Sequence, residues 1–166
     1  FHPGPTVKRQ SGFLFPTFED NSSIGFSASV PYFWAISQNR DMTITPKIYT
    51  EENILVLNEY RHAFQNSFLT VDSGYTKGYK KTDKVKKSAG ARSHFFAKYF
   101  HNLSKKNFSS NLEVNFQQVS NDTYMKVHDI KTVLADKDNN IIKKDINYEF
   151  QDDKSYLGIS AAMFEN

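Results

Sequence analysis

The stretch Gly25-Phe26-Ser27-Ala28-Ser29-Val30-Pro31-Tyr32-Phe33-Trp34-Ala35-Ile36-Ser37 decides the fold. Together with Ile24, residues Phe26, Ala28, Val30, Tyr32, Trp34 and Ile36 fall on one side of a period-two alternation. Gly25, Ser27, Ser29 and Ser37 fall on the other. That period is the mark of a strand. Pro31 sits near its middle with no N–H to give to a ladder, so the strand weakens its own sheet.

The same alternation recurs along the chain. Leu112, Val114 and Phe116 oppose Glu113, Asn115 and Gln117; Leu69, Val71 and Tyr75 oppose Thr70, Asp72, Gly74 and Thr76; Ile146, Tyr148 and Phe150 oppose Asn147 and Glu149. Leu157, Ile159, Ala161 and Met163 form a last apolar row. Strands are expected near 11–18, 24–37, 41–50, 55–65, 68–79, 93–102, 108–119, 141–150 and 155–165. Aromatics reach 15% of the chain, with Phe 15 and Tyr 9, and such residues favour strands. No segment carries a 3.6-residue period, so the chain reads as all-β, an antiparallel up-and-down meander.

The connections are sorted by length. Gln38–Arg40, Gln65–Ser67, Leu103–Asn107 and Gln151–Lys154 are short and polar; they alternate with Glu19–Ser23, Glu51–Asn53, Lys80–Arg92 and Ser120–Asn140, which include both long loops. In a meander, alternate connections lie at the same end. Short turns at one end and longer loops at the other are the habit of an outer-membrane barrel, and strands of about 9–11 residues cross a bilayer at a tilt. The alternation also suits the solvent side of an ordinary half-buried sheet. The residues therefore leave two readings open: a barrel wall, or a soluble β-sheet module that binds carbohydrate or another anionic ligand.

Other classes fall away. No apolar run approaches the roughly 20 residues of a spanning helix. Lys+Arg 21 against Asp+Glu 18 gives a net charge of +3, too mild to imply nucleic acid. Cys 0 removes disulfides and thiolate metal sites. His2, His62, His94, His101 and His128 are dispersed, without metal-ligand spacing, and read as structural or surface residues. No catalytic constellation, cofactor motif or nucleophile motif is present, so an enzyme is not expected. No secretory leader pattern is evident and the chain starts at Phe1 rather than Met, which suggests a piece of a longer protein.

Four motifs in the first third narrow the choice: Ser11-Gly12-Phe13-Leu14-Phe15-Pro16, Ser29-Val30-Pro31-Tyr32-Phe33-Trp34, Asp41-Met42-Thr43-Ile44-Thr45-Pro46 and Glu59-Tyr60-Arg61. In this order and spacing they resemble the start of the barrel domain of the LPS-assembly outer-membrane family LptD, also called organic solvent tolerance protein. Val119-Ser120-Asn121-Asp122-Thr123-Tyr124 is similar to a later segment of that family. Phe15 departs from a Pro often found there.

The resemblance implies residues 1–10 as a linker into the barrel and 11–166 as the first strands of a large outer-membrane barrel of about 26 strands. It implies lipopolysaccharide transport and assembly at the bacterial outer membrane. The partners it implies are lipopolysaccharide, an LptE-like lipoprotein plug, and a periplasmic bridge protein met through an N-terminal domain outside this chain. The first strands of the family flank the place where the barrel opens sideways. Pro16 and Pro31 are thus expected at a weak lateral gate, with Pro46 beside it. The run Lys80, Lys81, Lys84, Lys86 and Lys87 reads first as a solvated loop tip, and in the barrel reading as an external loop pairing with lipopolysaccharide phosphates.

Overall fold

The computed structural model describes residues 9–22, 24–77, 90–121, 123–135 and 142–165. They form β1 (Gly12–Phe13), β2 (Thr17–Asn21), β3 (Gly25–Ser29), β4 (Tyr32–Ser37), β5 (Arg40–Tyr49), β6 (Leu55–Ala63), β7 (Ser67–Thr76), β8 (Arg92–Lys105), β9 (Phe108–Val119), the helical turn α1 (Tyr124–Val127), β10 (Ile142–Asp152) and β11 (Tyr156–Glu165). All strands belong to one open antiparallel sheet, and from β4 to β11 each pairs with the next in sequence.

The expected meander of nine long strands is present, with its first two members each broken in two. β1 pairs with β4, while β2 pairs with β3, and β3 and β4 both pair with β5. Hence β1 and β2 are halves of one long strand and β3 and β4 are halves of the next. The breaks fall at Leu14–Pro16 and Val30–Pro31, where expectation had unbroken strands over 11–18 and 24–37. β2 also runs on to Asn21. An all-β reading misses α1, a single turn whose four residues are too few to show a helical period.

Register assigns the two faces. Across β6 to β10, Glu59 pairs with Asp72, Asp72 with Phe96, Lys98 with Asn115, and Asn115 with Asp145. Residues paired across a ladder share a face. One face of the sheet is therefore lined by Asp41, Thr43, Lys47, Thr70, Asp72, Lys98, Glu113, Asn115 and Asp145. The opposite face carries Phe26, Tyr32, Trp34, Ile48, Val56, Val71, Phe95, Val114, Phe116, Ile146 and Ile159. Of these Phe26, Trp34, Ile48, Val56, Phe95, Phe116, Ile146 and Ile159 are exposed.

The core lies on the wrong side for a soluble sheet. Among the described residues the buried hydrophobic side chains are Ile24, Tyr49, Leu55, Phe96, Tyr124, Met125 and Ile130, a single cluster on the polar face. Nothing in the cluster comes from the apolar face. Fully burying one large apolar side chain stabilises by about 1.5–3 kcal/mol. So small a cluster leaves the broad apolar face in need of another apolar medium. No helix among the described residues is long and apolar enough to cross a membrane. The strands of the sheet have the length and facial chemistry to do so instead.

Candidate functional site

The prolines cluster across three neighbouring strands. Gly12 and Phe13 pair with Phe33 and Tyr32, Leu14 N donates to Pro31 O at 2.9 Å, and the ladder then lapses until Thr17 meets Ser29. One strand later, Val30 N donates to Pro46 O at 3.2 Å. In an antiparallel ladder the N–H and C=O of one residue point to the same neighbour. The donor that Pro46 lacks therefore faces the Val30–Pro31 break, while Pro46 keeps its register place opposite Val56. The three imino residues thin the pairing at one place. The ladder is irregular again between Ala35 and Ser37. Phe13 and Phe15 beside the first break are 76% and 94% exposed, and the Phe13 ring meets Tyr32 edge-on at 5.1 Å across the β1–β4 pair.

Behind this edge a segment folds inward. The connection after β9 belongs to the end with the long loops, as its place in the meander requires, but residues 123–135 turn back over the polar face. Local chemistry makes the turn. Asn121 Oδ1 accepts from Thr123 N and Thr123 Oγ1, which starts α1. Asp129 then takes a left-handed φ of 46°, and Ile130 N donates to Met125 O at 3.0 Å. This closes the helix C-terminus and drops Ile130 into the core.

Gly74 makes the seat for this segment. A side chain there would put its Cβ 2.6 Å from His94 Cε1 and 2.8 Å from the Tyr124 hydroxyl, so only a glycine lets Tyr124 and His94 lie against β7. His94 is held by Asp72 Oδ1 at 2.9 Å. The His94 and Tyr124 rings lie 5.7 Å apart, and Tyr124 and His128 5.4 Å apart. His128 Nδ1 is 3.1 Å from the Tyr49 hydroxyl. The far side of the segment meets the broken edge through charge. Buried Lys47 Nζ donates to Glu19 Oε2 and, at 3.1 Å, to His128 O. Lys131 Nζ reaches Glu19 Oε1 at 3.3 Å and Asp129 Oδ2 at 3.1 Å; both carboxylates, Asp129 first, raise the lysine's pKa. Asn21 Nδ2 donates to Val127 O at 3.4 Å.

A cavity of about 350 Å³ remains between the segment and the sheet, lined by Leu14, Phe33, Thr43, Glu59, Arg61 and Lys131 among others. Its charges are already matched: Arg61 Nε lies 2.8 Å from Asp41 Oδ1 and 3.4 Å from Glu59 Oε1. Among the described residues the arrangement offers a polar, charge-paired interior beside the interrupted edge of the sheet.

Pro16 and Pro31 fall at the interruptions of the first two strands, and Pro46 lies on the third with its O accepting from Val30 N. Lys80, Lys81, Lys84, Lys86 and Lys87 lie outside the described residues, as does most of the linker 1–10. Sequence reading missed the inward segment and its seat. Its faint signals were Gly74 on a polar strand face and the apolar Tyr124, Met125 and Ile130 inside an apparent loop.

A one-layer antiparallel sheet, polar inside and apolar outside, is a stretch of β-barrel wall. The chain belongs to the family described as LptD protein, which matches residues 1–165. It is 29% identical over 135 residues to the LPS-assembly protein LptD of Legionella pneumophila (strain Lens), a match covering 76% of this chain and 16% of the relative. To the LPS-assembly protein LptD of Pectobacterium atrosepticum it is 40% identical over 77 residues, 42% of this chain and 10% of the relative. To that of Burkholderia cenocepacia (strain HI2424) it is 44% identical over 55 residues, 33% of this chain and 7% of the relative. The chain spans only a small part, 16% or less, of these curated relatives.

Proposed function

We propose that this chain is the opening part of an outer-membrane barrel that passes lipopolysaccharide along its polar interior and releases it sideways past the first two strands. The carrying observation is that proline breaks coincide in adjacent strands at the sheet edge, in a chain of the LptD family. Pro16 and Pro31 form the weak seam and Pro46 extends it. The family's lipoprotein plug and periplasmic bridge complete the machine, and the lysines Lys80, Lys81, Lys84, Lys86 and Lys87 meet lipopolysaccharide phosphates at the outer surface. The protein moves lipid and catalyses no reaction.

The soluble carbohydrate-binding module is disfavoured by Phe26, Trp34, Val56, Phe95, Phe116 and Ile159, all exposed on one face of the sheet, since an exposed apolar face marks a membrane or partner surface. A photo-crosslinking residue at Phe33 or Thr43 of the full-length protein, in growing cells, tests the route. An adduct with lipopolysaccharide that disappears when lipid supply from the inner membrane stops is expected. No adduct at either position, with normal surface lipopolysaccharide, overturns it.

A further inference from the structure

The β2–β3 hairpin is weakly joined to the rest of the sheet. β2 pairs only with β3, and β3 reaches β5 along a short ladder, Ser27, Ala28 and Ser29 opposite Tyr49, Ile48 and Lys47, closed at its ends by Thr50 N donating to Phe26 O and Val30 N to Pro46 O. The segment 123–135 gives the hairpin a second attachment. Its two ends differ in kind. One is an apolar anchor: Tyr124 seated at Gly74 and His94, with Met125 and Ile130 buried beside it. The other is a mainly polar catch: Asn21 on Val127 O, Glu19 on Lys131, and buried Lys47 clamped between Glu19 and His128 O, with Ile24 of the hairpin turn the one apolar side chain it adds to the core. The anchor buries three apolar side chains, Tyr124, Met125 and Ile130, against Ile24 alone at the catch, and each such burial stabilises its end by taking apolar surface out of water. The catch therefore lets go before the anchor.

We propose that residues 123–135 are a latch that holds the β2–β3 hairpin against the sheet and frees it by releasing Glu19 and Asn21 while Tyr124 stays seated. The latch rests on the reading above, in which the first strands part. Its presence at the edge ties the seam to the middle of the sheet, because β7 and β8 supply the seat while β2 supplies the catch.

Amide hydrogen exchange of the full-length protein in a lipid bilayer tests this. The double variant Glu19→Gln with Asn21→Ala should speed exchange of residues 17–29 roughly tenfold, the scale of losing one hydrogen bond to a charged group, while 67–76 and 108–119 keep their protection. Tyr124→Ala, altered only at the distant anchor, should speed the same hairpin. Unchanged exchange over 17–29 in the double variant, or in an assembled Tyr124→Ala protein whose segment 123–135 has lost protection, overturns the latch. Surface lipopolysaccharide in the same strains reports separately on parting. Faster hairpin exchange with unchanged export overturns the sideways-release reading and leaves the latch supported.

Discussion

β7 to β10 and β1 to β4 share one sheet and the same alternation, yet they are built for opposite ends. Ser67–Thr76 pairs with Arg92–His101 without interruption, and His94–Lys105 pairs in turn with Phe108–Val119. In the first two strands the ladder stops at Leu14–Pro16 and Val30–Pro31. The difference is not in apolar content, since Phe26, Tyr32 and Trp34 keep to the outer face across the break. It lies in missing backbone donors. Facial pattern decides where a strand sits, and imino residues decide how firmly it is held. In lipid the second choice weighs more, because no water replaces a lost ladder bond.

The largest expected effect comes from moving a break into the continuous region. Val71→Pro removes a donor from the middle of β7, where both neighbours are regular strands. The loss is expected to reach several kcal/mol in the bilayer. Heat-resistant barrel mobility on a gel should collapse, although the natural prolines are tolerated at the edge. Normal mobility would erase the distinction between the two regions.

Next comes the facial contrast within β9. Val114 points outward and Asn115 inward. A charge on the lipid side near the bilayer midplane costs about 2–4 kcal/mol. Val114→Arg should therefore impair assembly far more than Asn115→Arg in the full-length protein. Equal yields would speak for a soluble sheet.

Gly74→Val should cost about 1–3 kcal/mol by overpacking, since His94 and Tyr124 already occupy the space of a side chain. Protease access to residues 123–135 is the readout. Unaltered access would mean that the seat does not hold the segment.

The smallest effect belongs to Lys131. Its pKa is raised by Asp129 and Glu19, so its contribution to docking is full below about pH 10.5 and fades as pH rises through the raised value. Lys131→Met should weaken docking slightly at neutral pH, and the difference from the natural protein should narrow in strong alkali. The side chain is 70% exposed, which keeps the effect small.

Much of this was legible from residue order. Period two alone places the long strands, because one buried and one wetted face leave no other pattern. Pro31 announced a weak point, but whether a proline ends a strand or bends it depends on its neighbour, and the facing break at Pro16 is a tertiary fact. The turn at Tyr124–Val127 left no periodic trace in four residues. The seat at Gly74 involves β7, β8 and the segment after β9, a juxtaposition that no local pattern encodes. His94 and His128 are far apart in sequence, and the fold sets both rings beside Tyr124.

The central claim is that missing donors at the edge let lipid out. Pro31→Ala together with Pro16→Ala in the full-length protein restores two N–H groups, each worth about 0.5–1.5 kcal/mol in water and more against lipid. Surface lipopolysaccharide measured beside heat-resistant barrel mobility decides the matter. Slow export from a normally assembled barrel is the predicted result, and normal export from that same barrel would contradict it.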